Sequence, residues 1–369
     1  MMLSLTADTA IESTECSKDM NREKRWCKRV ITPRGTDRNR PKRGALLLFR
    51  VIIGLGIAAF MAGTVGQAAE SRGVKVYETN NVIRVELNGQ LFTAYNFRDV
   101  SRPFLFPILG PGDEHFTRRW PQEEVPGEER DHPHHRGLWW AHGEANGVDF
   151  WSEGKDAGRT VHQSFAELKS GTDSGVISSR NRWIAKDGKI IASDERTMRF
   201  YAPTGPGRML DFTITIFASN GDLVLGDTKE GSMAIRLAES MRLKQPKDAP
   251  GEGHITNSEG LTGGETWGKR AKWVDYTGPV DGHTVGVALF DRPSNPRFPT
   301  WWHVRDYGLF AANPFGVHDF EKKEKGTGDL KIPAGQSITF RYRFLFHPGD
   351  TASAQLPARF EEWVKLPTP

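Results

Sequence analysis

The 369-residue chain carries 50 Lys and Arg against 46 Asp and Glu, with 37% hydrophobic residues, enough apolar material for one large all-β domain or two average ones. Its net charge of +4 would suit a nucleic-acid partner, but residues 1–68 hold 12 basic and 6 acidic residues, leaving 38 and 40 in the rest. The globular part is thus slightly acidic and lacks the footprint of a nucleic-acid binder. Both cysteines, Cys16 and Cys27, precede it, which excludes a disulfide framework, a thiolate ligand or a thiol nucleophile there.

From Lys18 to Arg43 the chain is crowded with Lys and Arg, and it then runs into the apolar stretch of residues 44–71. A basic segment, an apolar segment and small residues at Gly66 and Ala68 are the parts of a secretory signal cleaved before Ala69. A start at Met20 would shorten the basic segment to an ordinary length. The alternative is a retained N-terminal anchor, although Arg50 interrupts the apolar run early. Either reading divides the chain into residues 1–68, a targeting region, and residues 69–369, one globular domain placed in the periplasm or anchored facing it.

Residues 73–97 alternate apolar and polar side chains, with Asn80-Asn81 and Asn88-Gly89 as turn signals, which predicts antiparallel strands joined by tight turns. The same texture recurs around the Asp187-Gly188 hairpin signal and in the segments beginning at Met209, His283 and Gln336. Residues 351–366 are the exception: Phe360, Trp363 and Val364 form one apolar helical face after Pro357, predicting a helix packed on a sheet. The expected fold is therefore all-β, a large antiparallel sandwich with a short C-terminal helix. The Pro/Gly-rich residues 244–264 are read as a long loop over a binding face, or as a boundary between two sandwiches.

Three stretches concentrate chemistry. In "DHPHHRGLWWAHGEANGVDFW", residues 131–151, four histidines stand among three tryptophans, and Pro133 and Gly137 favour an exposed loop or a strand edge. His134, His135 and His142 are candidate proton carriers or hydroxyl donors, Trp140 a stacking plane, and Asn146 and Asp149 hydroxyl binders, a mixture suited to carbohydrate. His142-Gly143-Glu144 also has the local form of a two-histidine, one-carboxylate metal site, completed by His303 or another distant histidine. In residues 226–243, Glu230 could serve as acid or base and Arg236 as a binding cation. Trp267 and Arg270 supply a plane and a donor. In residues 291–316, Trp301, His303 and Arg305 alternate along a predicted strand and share a face, with Asn313 close by.

These stretches, together with "KEGSMAIR", "WGKRAKWVDYTG" and "NPRFPTWWHVRDYGLFAANPFG", resemble an exported bacterial family called "methane oxygenase PmoA". The resemblance covers residues 73–349, with one departure at Asp291-Arg292, where a His-Pro pair is expected. It implies a soluble β-rich protein rather than the multi-helix membrane subunit that shares the name. The strand texture is similar to sandwiches of galactose-mutarotase type, which implies sugar binding on a concave face by His and carboxylate pairs. The leading reading is a carbohydrate isomerase, lyase or hydrolase acting by general acid/base chemistry through His135 or His142 opposite Glu230, with His303. The alternatives are a non-haem iron or copper oxygenase using His142, Glu144 and His303, and a non-catalytic carbohydrate-binding module. No cofactor is preferred, a divalent metal being the alternative. The expected partner is a sugar or oligosaccharide, with no nucleic acid and no membrane contact beyond an N-terminal anchor.

Overall fold

The structure, a computed structural model, describes residues 13–17, 26–30 and 72–367. The chain divides into two units, Met1–Val65 and Gly66–Pro369. In the first, strands β1 (Ser13–Ser17) and β2 (Trp26–Val30) pair antiparallel. The apolar stretch and cleavage site expected in residues 44–71 lie outside the described residues. Among the described residues no helix is long and apolar enough to cross a membrane.

The second unit opens on the predicted meander: β3 (Val74–Thr79), β4 (Val82–Leu87) and β5 (Gln90–Asn96). Asn80, Asn81 and Asn88 take the left-handed conformation that these turns require. There follow β6 (Phe104–Ile108), β7 (Leu138–His142), β8 (Arg159–Lys169), β9 (Ser174–Ile184), β10 (Ile190–Tyr201) and β11 (Arg208–Phe217). After these come β12 (Leu223–Leu225), β13 (Gly231–Arg236), β14 (His254–Asn257), β15 (Trp273–Val280), β16 (His283–Asp291), β17 (Trp301–Val304) and β18 (Leu309–Asn313). Helix α1 (Val317–Glu321), β19 (Leu330–Ile332), β20 (Ser337–Pro348) and helix α2 (Leu356–Lys365) complete the unit.

Two eight-stranded antiparallel sheets result. The first has the order β17-β18-β13-β7-β6-β5-β4-β3, and the second β14-β15-β16-β20-β11-β10-β9-β8. The core lies between their inner faces, where Phe92 meets Phe346 at 5.5 Å and Trp140 meets Trp183 at 5.4 Å. Burial of each such side chain contributes about 1.5–3 kcal/mol, more than the roughly 0.5–1.5 kcal/mol of the ring contact itself. Apolar patterning, rather than particular ring geometry, therefore holds the two layers together.

Helix α2 begins with Pro357 in its first turn and buries Leu356, Phe360 and Trp363 against Phe290 and Leu345 on the outer face of the second sheet. Arg292 closes its far end by donating to the carbonyls of Trp363 at 2.6 Å, Val364 at 3.3 Å and Leu366 at 2.5 Å. Beside it, Asp291 accepts from Asn295 Nδ2 at 2.7 Å and Thr300 N at 2.9 Å. Burial pushes its carboxyl up to about 7. The Asp291-Arg292 departure thus fastens the helix and the following turn.

Two expectations change. Residues 244–264 are not one continuous loop, because they include β14, the edge strand of the second sheet. The residues after Gly137 are not a strand edge either, since β7 lies between β6 and β13 in the middle of the first sheet. Residues 131–137 end the connection between β6 and β7, with His132 and Pro133 exposed and His135 buried.

Candidate functional site

The register of the first sheet sorts its side chains into rows. Pairing aligns Phe104, Trp139, Ala234, Ala311 and His303 across β6, β7, β13, β18 and β17. Paired residues point to the same side, and Phe104, Trp139, Ala234 and Ala311 belong to one cluster on the outer face, away from the core. Trp139 and His303 therefore rise from that face three strand spacings apart, about 14 Å between backbones. Only two alanine methyl groups stand between them.

Neighbouring rows flank this one. On one side Ser232 pairs with Ala141, and Trp301 pairs with Asn313. On the other, Arg236 pairs with Leu309, whose carbonyl accepts from Arg305 N at 2.7 Å. The floor is buried, whereas Lys229, Glu230, His134, Trp267, Arg305 and Tyr307 on the rim reach solvent.

The face is rich in unpaired donors. Trp139 Nε1, Trp151 Nε1, Trp267 Nε1 and Ser232 Oγ are buried without a hydrogen-bond partner. An unsatisfied buried polar group costs about 1–3 kcal/mol, so a polar ligand that reached these four would offset part of that cost. The inner face holds Trp140 Nε1 and His142 Nδ1 in the same condition.

Two buried histidines are fixed in opposite tautomers. Lys229 O accepts from His303 Nδ1 at 2.7 Å, so the proton is on Nδ1 and Nε2 carries a lone pair. Among the described residues that Nε2 makes no hydrogen bond, and burial, reinforced by Arg305, lowers the imidazole to about 4. His303 is therefore neutral at pH 7, with a free base atom. At His135 the order reverses: Arg236, which can only donate, gives a hydrogen bond from Nη1 to Nδ1 at 3.2 Å. The proton then sits on Nε2, and burial followed by Arg236 holds this imidazole well below its usual value. One ring presents a lone pair and the other an N–H.

Arg236 is tied down by more than His135. Its Nη2 donates to Asp131 Oδ1 at 2.8 Å, and Asp131 also binds Arg118 and, at 2.7 Å, His132 Nδ1. Burial opposes the Asp131 charge, but the His132 hydrogen bond and the guanidinium groups of Arg236 and Arg118 keep its carboxyl well below the usual range. Rings stack outward from Trp139 through His135 at 5.4 Å, His132 at 4.8 Å and Tyr307 at 5.3 Å. Trp267 stands edge-on to His303 at 6.3 Å on the opposite wall.

Of the residues picked out in the sequence, His134, His135, Arg236, Trp267, Trp301, His303 and Arg305 meet on this face. Glu230 stands on the rim, 3.4 Å from Lys229 Nζ and within electrostatic reach of the Tyr307 phenol. His134 packs edge-on to His135 at 4.5 Å, and burial, followed by Arg102, lowers its ring to about 4.

Others are placed elsewhere. His142 and Trp140 point into the sandwich, because both are an odd number of residues from Trp139 along β7. His142 donates from Nε2 to Gly226 O at 3.0 Å and lies 4.4 Å from Phe315, with its ring lowered to about 3 by burial. Trp140 is core rather than a stacking plane. Asn146 ties a turn to Asp222 O and Val224 N, and Asp149 caps the backbone of Trp151 and Ser152. Asn313 donates to Thr228 O and Lys229 O and accepts from Phe315 N and Gly316 N, so its amide holds the turn beneath His303.

Arg270 and Trp301 stack at 4.5 Å on the edge strand. They line a cavity of about 430 Å³ with Phe320 and Lys322. The larger cavity of about 810 Å³ near Asp149 is walled by residues 147–149, 152, 154–157 and 185–187, none of them a histidine or tryptophan.

The metal alternative is not assembled. His142 and His303 occupy opposite faces of one sheet, and Glu144 is bound by Lys325 Nζ at 2.9 Å. Among the described residues no three His, Cys, Asp or Glu side chains gather as ligands. Sequence reasoning passed over Ser232, Tyr307, Asp131 and Arg118, and chose Trp140 over Trp139. Period-two alternation from Ala234 and Arg236 would have found Ser232.

With this geometry in hand, a family profile described as a family of unknown function, DUF6807, matches residues 82–361. The chain belongs to that family. No curated protein matches it in sequence. Among solved structures it is similar to the galactose mutarotase related enzyme from Lactobacillus acidophilus, at 8% identity and a TM-score of 0.27, over 74% of this chain and 97% of that one. It is also similar to the GalM/aldose epimerase homologue from C. elegans, at 8% identity and a TM-score of 0.29, over 75% and 99% of the two chains. At these scores the likeness carries nothing about activity. The predicted antiparallel sandwich with a short C-terminal helix stands on the sheets themselves.

Proposed function

We propose that the outer face of the first sheet binds a sugar and moves a proton on it. The observation that carries this reading is His303, whose Nδ1–H is held by Lys229 O so that a neutral Nε2 lone pair is left free beside the alanine floor. In this reading Nε2 takes a proton from the substrate, and the electron pair left behind develops charge on a substrate oxygen. The Nε2–H of His135 stabilises that charge, and His303 returns the proton. The indoles of Trp139, Trp151 and Trp267 add apolar faces with one donor each, which suits the C–H faces and hydroxyl groups of a sugar ring.

The four motifs that resemble the PmoA-type family contribute residues to this face. Export to the periplasm is part of the proposal, supported by the basic and then apolar order of residues 18–71.

The test is a panel of neutral, acidic and oxidised monosaccharides and glycosides incubated with the protein in D2O and followed by proton NMR. Loss of a C–H signal by exchange, or growth of new sugar signals, is the expected result. Binding without any change in the sugars would make the protein a binding module, and neither binding nor change would remove the carbohydrate reading.

A further inference from the structure

Around this outer face, acidic side chains are already matched with cations. Asp131 is held by Arg118 and Arg236, Asp306 lies 3.5 Å from Lys244, and Lys229 is 3.4 Å from Glu230 and 3.7 Å from Asp319. Arg305 differs. Among the described residues its guanidinium makes no hydrogen bond or ion pair, and it lies 5.4 Å from the Tyr307 ring. Arg236 lies 4.8 Å from the same ring, fully buried and with its Nε unpaired. Two guanidinium groups thus flank one phenol, and together they leave donors unused.

Position gives this cation a partner. Arg305 follows His303 by two residues, and its amide continues the ladder onto Leu309 O, so both side chains leave the same face about 7 Å apart. A group gripped by Arg305 has its neighbouring atoms beside His303 Nε2. A guanidinium presents a planar fork that matches a carboxylate with two parallel hydrogen bonds. Neutralising a carboxylate also makes the C–H bond next to it easier to ionise, the step a neutral imidazole base needs help with.

We infer that the substrate is a uronate-type sugar, its carboxylate held by Arg305 so that the adjacent C–H faces His303. This rests on the reading of the face as a sugar site. The C–H proton passes to His303 Nε2, and its electron pair delocalises into the carboxylate paired with Arg305. No oxidant or further reactant is required.

Calorimetric titration of the full chain with gluco- and galacto-configured uronate methyl glycosides, their methyl esters and the 6-sulfated neutral glycosides tests the inference. The free acid of at least one configuration should bind at least tenfold more tightly than its ester, and added salt should narrow the gap. In Arg305→Gln the acid should lose its advantage over the ester, and Arg305→Lys should retain only part of the preference. The Arg305 side chain makes no hydrogen bond among the described residues, and substitution keeps its backbone bond to Leu309 O, so both variants should melt with the wild type. Equal binding of acid and ester, a preference that survives in Arg305→Gln, or sulfate binding as tight as carboxylate would overturn the inference and leave the sugar site standing. Failure of every sugar, neutral or acidic, would overturn both.

Discussion

Replacing His303 by Asn is expected to lower kcat on the sugar that the NMR panel identifies by about 10²- to 10⁴-fold, with KM nearly unchanged. Asparagine can still donate to Lys229 O, as Nδ1 does at 2.7 Å, so the turn beneath the site stays in place. It has no counterpart to Nε2. The loss therefore falls on the proton-transfer step rather than on the pocket. The pH profile carries the same signature: with the ring lowered to about 4 by burial, the base form exists above that value and disappears below it. The acid limb of kcat/KM should fall near pH 4 rather than near pH 6.5, the ordinary imidazole value. A limb near pH 6.5, or a variant with wild-type turnover, would take the base role away from His303.

The second large effect is on stability. Arg236→Met removes both the 2.8 Å bond to Asp131 and the 3.2 Å bond to His135 from a fully buried position. The Asp131 carboxylate keeps Arg118 and His132, so the cost lies near the lower end for a broken buried ion pair, about 3 kcal/mol. At about 2–4 °C per kcal/mol for a domain of this size, Tm should drop by roughly 6–12 °C. Arg236→Lys should recover little, because a single ammonium group cannot reach both partners in one plane. A Met variant that melts with the wild type would show that Arg118 alone holds Asp131.

Much of this was legible in the sequence where one physical signal dominated. Alternation marked the meander from Val74 to Asn96 and the hairpin at Asp187-Gly188, because one face of each strand must be apolar. It also placed Trp301 and His303 on one face, as the register of β17 against β18 has them. The same signal failed in β7, where all five residues are buried. Both faces of a central strand covered on each side select bulky residues, so nothing local told Trp139 from Trp140 or brought His142 inside. Asn146 and Asp149 were misread for another reason: short polar side chains serve turns as readily as ligands, and here they bond the backbone nearby. The tie between Arg236, Asp131 and His135 spans about a hundred residues and could not be seen from spacing. Nor could the difference between Arg236, whose charge is matched, and Arg305, whose charge is not.

The central claim is that the outer face of the first sheet, and not the sandwich interior or the cavity near Asp149, receives the ligand. Indole ¹⁵N NMR of the tryptophan Nε1–H groups tests it most directly, during titration with a sugar from the panel. Trp139, Trp151 and Trp267, whose Nε1 groups are unpaired on that face, should shift. Trp183, bound to Asp194 at 2.6 Å, and Trp302, bound to Ala271 O at 2.9 Å, should not move, and neither should Trp140 in the core. Shifts confined to Trp140, Trp183 and Trp302, or a bound sugar that moves none of the three outer indoles, would contradict the account.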